Sequence, residues 1–253
     1  MNKRKTAPVW GLFYRETAPI FKNSLLCYVI AIALGIIFYL IKLSMEIGNL
    51  ADMPDDKLQM LKLLLPIYAI YLPSVLFMIN DSISSFQFEM GKNWRCYIAS
   101  TPVSEWKYVG IKFIIMFSVL FIGMILSLIN AAIMCSVYDI KYDKTIVANL
   151  LLCATIISLI STMIYILIFL FRNAIIGISI GFILLYGTML FFFLKNISFF
   201  LEIAENETEA TNMIMGKIND FSTVFMPFAI PCIIVLLTLG WVICSLLAKR
   251  REK

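Results

Sequence analysis

The sequence predicts an all-α integral membrane protein with six transmembrane helices, an N-terminal interfacial helix, and a short amphipathic cytoplasmic helix between the second and third spans. Three observations carry that prediction. Of 253 residues, 61% are hydrophobic and only 15% charged, an apolar surplus far beyond what one soluble core needs. The charges are bunched between long uncharged runs. Each run is long enough, at about 1.5 Å per residue, to cross a hydrocarbon layer of roughly 30 Å.

The uncharged runs cover residues 23–41, 63–80, 113–138, 145–171, 173–194 and 221–248. Each is expected to be helical, because an isolated segment in lipid satisfies its backbone N–H and C=O groups only internally. A β-barrel would need alternating polar positions, which the runs lack. About twenty mixed residues precede the first run and no small-residue cleavage pattern follows it, so that run is expected to stay as an anchor.

Lys and Arg set the orientation, since positively charged loops are retained in the cytoplasm. The loops on one side hold 14 of the 21 basic residues and 5 of the 16 acidic ones, a net +9 against −4 on the other side. Both termini fall on the basic side and are expected in the cytoplasm. The overall charge of +5 thus reflects cytoplasmic loops and gives no ground for a nucleic-acid partner.

Ahead of the first span, Trp10, Phe13, Tyr14, Thr17 and Phe21 recur at helical spacing, which predicts an interfacial helix over 8–22. Lys3, Arg4 and Lys5 would draw it to anionic membrane lipid. The first outer loop carries Asp52, Pro54, Asp55 and Asp56, a pattern more often a solvated turn than a divalent-cation site. Pro66 and Pro73 should bend the second span, with Tyr68 and Tyr71 between them. A bent, tyrosine-bearing helix suits a pathway lining and ordinary packing equally.

Residues 81–112 form the longest cytoplasmic segment, where Phe86, Phe88, Trp94, Tyr97, Ile98, Val103, Trp106 and Tyr108 alternate with charges. A helix leading into the third span should start at Thr101-Pro102 or at Ser104-Glu105. In the fifth span Gly177 and Gly181 make a small-xxx-small pair that permits close helix approach. The outer loop 195–220 is acidic, with Glu202, Glu205, Glu207 and Glu209, and is expected to hold a short re-entrant or surface helix. Asn196 and Asn206 fit glycosylation sequons, which matter only in a eukaryotic secretory route. The six cysteines lie singly, with no metal or redox spacing, and read as small apolar packing residues; Cys135 and Cys153 both fall near the outer face.

The chemistry that is missing narrows the function. The chain has no histidine, which removes the usual proton shuttle, the commonest metal ligand and most bases that activate a nucleophile. No GxxxxGK[ST] phosphate loop occurs. The six runs contain no ionisable carboxylate, which argues against proton or sodium coupling by that route. No catalytic residue, metal site or cofactor is expected in this chain.

The segment from Phe88 to Ser104, with Glu89, Trp94, Tyr97, Pro102, Val103 and Ser104, resembles the permease subunits of type-2 ABC transporters. Those permeases have six spans, a "W-x-x-Y" region after the second and a "Pro-Val-Ser" start to the third. The basic aromatic N-terminal helix and the long loop before the sixth span are similar to that family's elbow helix and outer re-entrant region. The resemblance implies a single permease domain over 1–253 in the cell membrane. It also implies an ATPase partner that binds ATP and Mg, and a second permease copy, identical or different.

By the same resemblance, residues 81–112 would be the coupling region. Phe86, Glu89, Lys92, Trp94, Arg95 and Tyr97 would contact the ATPase, although Trp94 and Tyr97 also read as membrane-interface aromatics. The second and fifth spans would face the pathway, with Tyr68, Tyr71, Phe77, Ser179 and Phe182 as its lining. The implied substrate is hydrophobic or amphipathic, foremost a membrane-active peptide such as a toxin or bacteriocin. A stand-alone secondary transporter or channel and a non-transporting membrane adaptor are the competing readings.

Overall fold

The computed structural model describes residues 7–46, 64–78, 104–171, 174–195 and 207–249, and these are helical throughout except at Ser104 and the turn 138–143. In chain order the helices are α1 (Ala7–Glu46), α2 (Leu64–Met78), α3 (Glu105–Val137), α4 (Lys144–Phe171), α5 (Ala174–Lys195) and α6 (Glu207–Lys249). Four of them are long and apolar enough to cross a membrane, through the windows Leu25–Met45, Trp106–Val137, Lys144–Phe171 and Gly216–Lys249. Shorter apolar helical stretches, Leu64–Met78 and Ile175–Thr188, lie in α2 and α5.

The described helices run past three of the expected boundaries. The interfacial helix expected over 8–22 is continuous with the first span, because α1 runs unbroken from Ala7 to Glu46. The helix expected to start near Ser104-Glu105 runs unbroken through residues 105–112 into the third span as α3, and Lys112 is buried with its ammonium 5.0 Å from the Tyr108 ring centre. That ring face attracts the cation and lets a helix begin well before the uncharged run. Residues 207–219, expected in an outer loop, open α6, whose 43 residues span about 65 Å and so exceed a hydrocarbon layer by a wide margin.

Local chemistry explains the ends. Ser104 has extended backbone angles (φ −64°, ψ 145°), and its carbonyl accepts the N–H groups of Lys107 and Tyr108 at 3.0 and 3.1 Å. Asp143 caps α4, its carboxylate accepting the N–H groups of Thr145 and Ile146 at 3.0 and 3.2 Å. At the end of α3, Asp139 takes a left-handed φ of 54°, and the N–H of Ile140 reaches back to the Cys135 carbonyl at 2.9 Å. That left-handed cap terminates the helix without a glycine.

Contacts along the helices give their directions. α1 and α3 are parallel, with Gly35 against Met134 and the Tyr138 hydroxyl donating to the Phe38 carbonyl at 2.9 Å. Lys42 completes this clamp, donating to the Val137 carbonyl and lying 3.7 Å from the Asp139 carboxylate. α2 is antiparallel to α3, where Ile70 lies by Asn130 and Phe77 by Gly123.

α4 and α6 are parallel and make the most extensive contact, Asn149 meeting Asn219 and Thr162 meeting Gly240. α3 runs antiparallel to α6, with Trp106 edge-on to Trp241 at 5.8 Å. α5 folds back antiparallel on α4. A Cβ added at Gly177 would lie 2.7 Å from Ile168 Cα, and one at Gly181 3.0 Å from Ile164 Cγ1. The helices therefore alternate in direction along the chain.

The packed interior is joined to an apolar exterior. Ile183 and Phe191 on α5 are each 68% exposed and Val224 on α6 is 73% exposed. A surface of this kind is expected where lipid is the solvent. Gly177→Ala is expected to destabilise the fold by about 1–3 kcal/mol through overpacking. Gly187→Ala, with open space around it, should stabilise by roughly 0.5–1 kcal/mol. Thermal unfolding of the two variants in one detergent checks this, and equal melting temperatures would refute the close approach of α5 to α4.

Candidate functional site

Polar side chains inside the bundle fall into three groups. The first joins α2 to α3. Pro73 lacks an N–H, so the Ala69 carbonyl one turn earlier loses its helical donor. The Asn130 amide supplies a replacement from α3, at 3.4 Å from the Ala69 carbonyl and 3.2 Å from that of Ile70. Beside it the Ser127 hydroxyl lies 2.9 Å from the Ser74 carbonyl and 2.7 Å from its own Gly123 carbonyl. The glycine allows this approach, since a Cβ at Gly123 would lie 2.5 Å from the Phe77 carbonyl oxygen.

The second group joins three helices. The Asn149 amide on α4 donates to the Tyr71 hydroxyl of α2 at 2.9 Å and to the Asn219 side-chain oxygen of α6 at 2.8 Å. Asn149 is buried, and its own side-chain oxygen has no hydrogen-bond partner among the described residues. The third group is a stripe between α4 and α6. Thr155 returns its hydroxyl to the Leu151 carbonyl at 2.9 Å, whereas the hydroxyls of Ser158, Thr162 and Ser245 are buried without a partner among the described residues. Such groups cost free energy in an apolar interior, and small size is what admits them there.

Two apolar clefts flank these groups. One, of about 560 Å³, lies between α1 and α3 and includes Tyr28, Tyr39, Phe77 and Ile133 in its lining. The other, of about 390 Å³, lies between α3 and α6.

Of the expected pathway residues, Tyr71 is half-buried and tied to Asn149, while Tyr68 is exposed on α2. Phe77 is buried with its ring 5.7 Å from that of Tyr28. Ser179 and Phe182 are exposed on α5. Neither cleft is lined by residues of both helices α2 and α5. Gly177 and Gly181 pack within the chain, against α4. Phe86, Glu89, Lys92, Trp94, Arg95 and Tyr97 lie outside the described residues.

The described residues hold no group of three or more acidic, Cys or His side chains arranged for a metal, and Cys135 and Cys153 are free thiols. Sequence reasoning passed over Asn130, Asn149, Asn219, Ser158, Thr162 and Ser245. The available signal was the presence of amides inside otherwise apolar runs, where each needs a partner.

The helices and their apolar surface define a membrane-embedded all-helical protein. No protein family, curated protein or solved structure matches the chain.

Asn130→Ala should destabilise by about 1–3 kcal/mol by stripping the Ala69 carbonyl of its donor. Adding Pro73→Ala, which restores a backbone N–H, should recover part of that loss. A double-mutant cycle in detergent measures the coupling, and a value within about 0.5 kcal/mol of zero would mean that Asn130 does not serve the proline.

Proposed function

We propose that this chain is the membrane permease subunit of an ABC exporter, crossing the cell membrane six times with both termini in the cytoplasm. A separate nucleotide-binding subunit binds ATP and Mg and docks on the coupling region 81–112 through Phe86, Glu89, Lys92, Trp94, Arg95 and Tyr97. A second permease copy completes the pathway. The substrate is hydrophobic or amphipathic, best represented by a membrane-active peptide such as a toxin or bacteriocin.

The observation that carries this reading is the Glu89, Trp94-x-x-Tyr97, Pro102-Val103-Ser104 pattern, which stands in a basic segment just ahead of a helix that starts at Ser104. Three further features support it. The alternating helix directions suit six crossings, with α2 and α5 as the shorter two. The end holding Lys107 and Lys249 lies opposite the end holding Asp139 and Asp143, as the charge bias of the loops requires. The chain has no phosphate-binding loop of its own, so ATP-driven work needs a partner.

In this mechanism, closure of the ATPase subunits pulls on the coupling region, and α3, whose first turns belong to that region, carries the movement to α6 through the Trp106–Trp241 contact. The apolar clefts, and the absence of buried carboxylates among the described residues, suit a hydrophobic cargo better than an ion.

Tagged wild-type chain purified from its native membrane is expected to carry a stoichiometric ATPase, and the Trp94→Ala, Tyr97→Ala double variant should lose most of it. Wild type recovered without any ATPase, under conditions where a known ABC complex survives, would transfer the assignment to a stand-alone transporter or an adaptor.

A further inference from the structure

We propose that the cleft between α3 and α6 binds an anionic phospholipid, with one acyl chain lying in the cleft and the phosphate meeting Lys107 and Lys249. The cleft walls include Gly110, Phe113 and Phe117 on α3 and Ile234, Leu237 and Trp241 on α6. From Gly110 to Phe117 the α3 wall extends about 10 Å along the helix, the length of a substantial part of a fatty acyl chain. The polar lining residue, Thr238, turns its hydroxyl back to the Ile234 and Val235 carbonyls of its own helix at 2.9 and 3.0 Å. Nothing in the lining is therefore left to recognise a polar ligand, and a hydrocarbon chain is the matching occupant.

The end of the cleft is built for a headgroup. Trp106 and Trp241 meet edge-on there, and the Trp241 indole N–H donates to the Trp106 carbonyl at 3.3 Å, which pins the indole across the opening. Gly110 makes room for that ring, since an added Cβ would lie 3.2 Å from the indole nitrogen. Tryptophans favour the headgroup level of a bilayer. Lys107 stands beside Trp106, one turn ahead of Gly110, and Lys249 lies two turns past Trp241 toward the helix end. Both are exposed, and neither has an ion-pair partner among the described residues.

Two ammonium groups at headgroup depth, with no ion-pair partner among the described residues, select an anionic lipid over a zwitterionic one. The larger cleft between α1 and α3 provides the contrast. It is equally apolar, but the lysine at its end, Lys42, is already committed to the Val137 carbonyl and the Asp139 carboxylate.

This assignment requires no ATPase, so it stands or falls apart from the permease reading. The test uses the full chain with Trp10→Phe and Trp94→Phe, leaving Trp106 and Trp241 as fluorescent reporters, reconstituted in phosphatidylcholine vesicles. Lipids with brominated acyl chains quench a neighbouring indole. Brominated phosphatidylglycerol is expected to reach half-maximal quenching at about one-tenth the mole fraction that brominated phosphatidylcholine needs, as two lysines near a membrane surface allow.

Lys107→Gln with Lys249→Gln should abolish that preference while leaving quenching by phosphatidylcholine intact, which also verifies the fold. Soluble glycerol 3-phosphate in excess should not relieve the quenching. Equal quenching by the two lipids in the parent, a preference that survives the double substitution, or relief by the soluble phosphate would each overturn the proposal.

Discussion

Close approach of helix backbones through small side chains is the constraint on which this fold depends. In hydrocarbon the lipid chains are as apolar as any leucine, so water exclusion does not drive helices together and dispersion contacts must do so. Those contacts strengthen as the backbones near one another. At the α4–α6 seam Thr162 meets Gly240, where an added Cβ would clash with Thr162 Cγ2, and Ala154 and Ser158 on α4 and Cys244 and Ala248 on α6 are likewise small and buried. α3 and α5 then pack against the same pair, at Gly240 and Phe113 on one side and at Gly177 and Gly181 on the other.

Small residues near a backbone are often hydroxyl-bearing, and the same seam therefore buries oxygen atoms. Ser158, Thr162 and Ser245 contribute little volume, which is their structural value, and their unpartnered hydroxyls are the attendant cost. Elsewhere the balance is better. The carbonyl released by Pro73 finds Asn130, and Asn149 ties together α2, α4 and α6 with its two amide hydrogens. These bonds hold the proline-bearing second helix on a bundle whose other contacts are mostly apolar.

The two ends of the bundle are held together differently. At one end Lys42, Tyr138 and Asp139 lock α1 to the tight turn between α3 and α4 through hydrogen bonds, an ion pair and a cation facing a ring. At the other, α3 and α6 meet through the Trp106–Trp241 edge contact above an apolar cleft. The first end is thus fixed by several directional bonds, and the second by one hydrogen bond, from the Trp241 indole N–H to the Trp106 carbonyl, beside a cleft.

The sequence by itself determined the class of fold. Uncharged runs separated by charge clusters leave helices as the economical answer in lipid, and the bias of Lys and Arg separates the two ends. It also located the glycines of the fifth span and the Ser104 helix start, because both are local patterns. Helix limits were less legible. Lys112 and the acidic opening of α6 look like loop residues to a rule that counts charges, yet Lys112 is sheltered by the Tyr108 ring and helical hydrogen bonds carry α6 past the apolar boundary.

What only the tertiary structure decided is which polar atoms meet. Asn130 lies 57 positions after Pro73 and Asn219 lies 70 after Asn149, separations over which sequence periodicity carries no information. The pairing depends on helix rotation and register, and these are set by the summed fit of small and large side chains along whole interfaces.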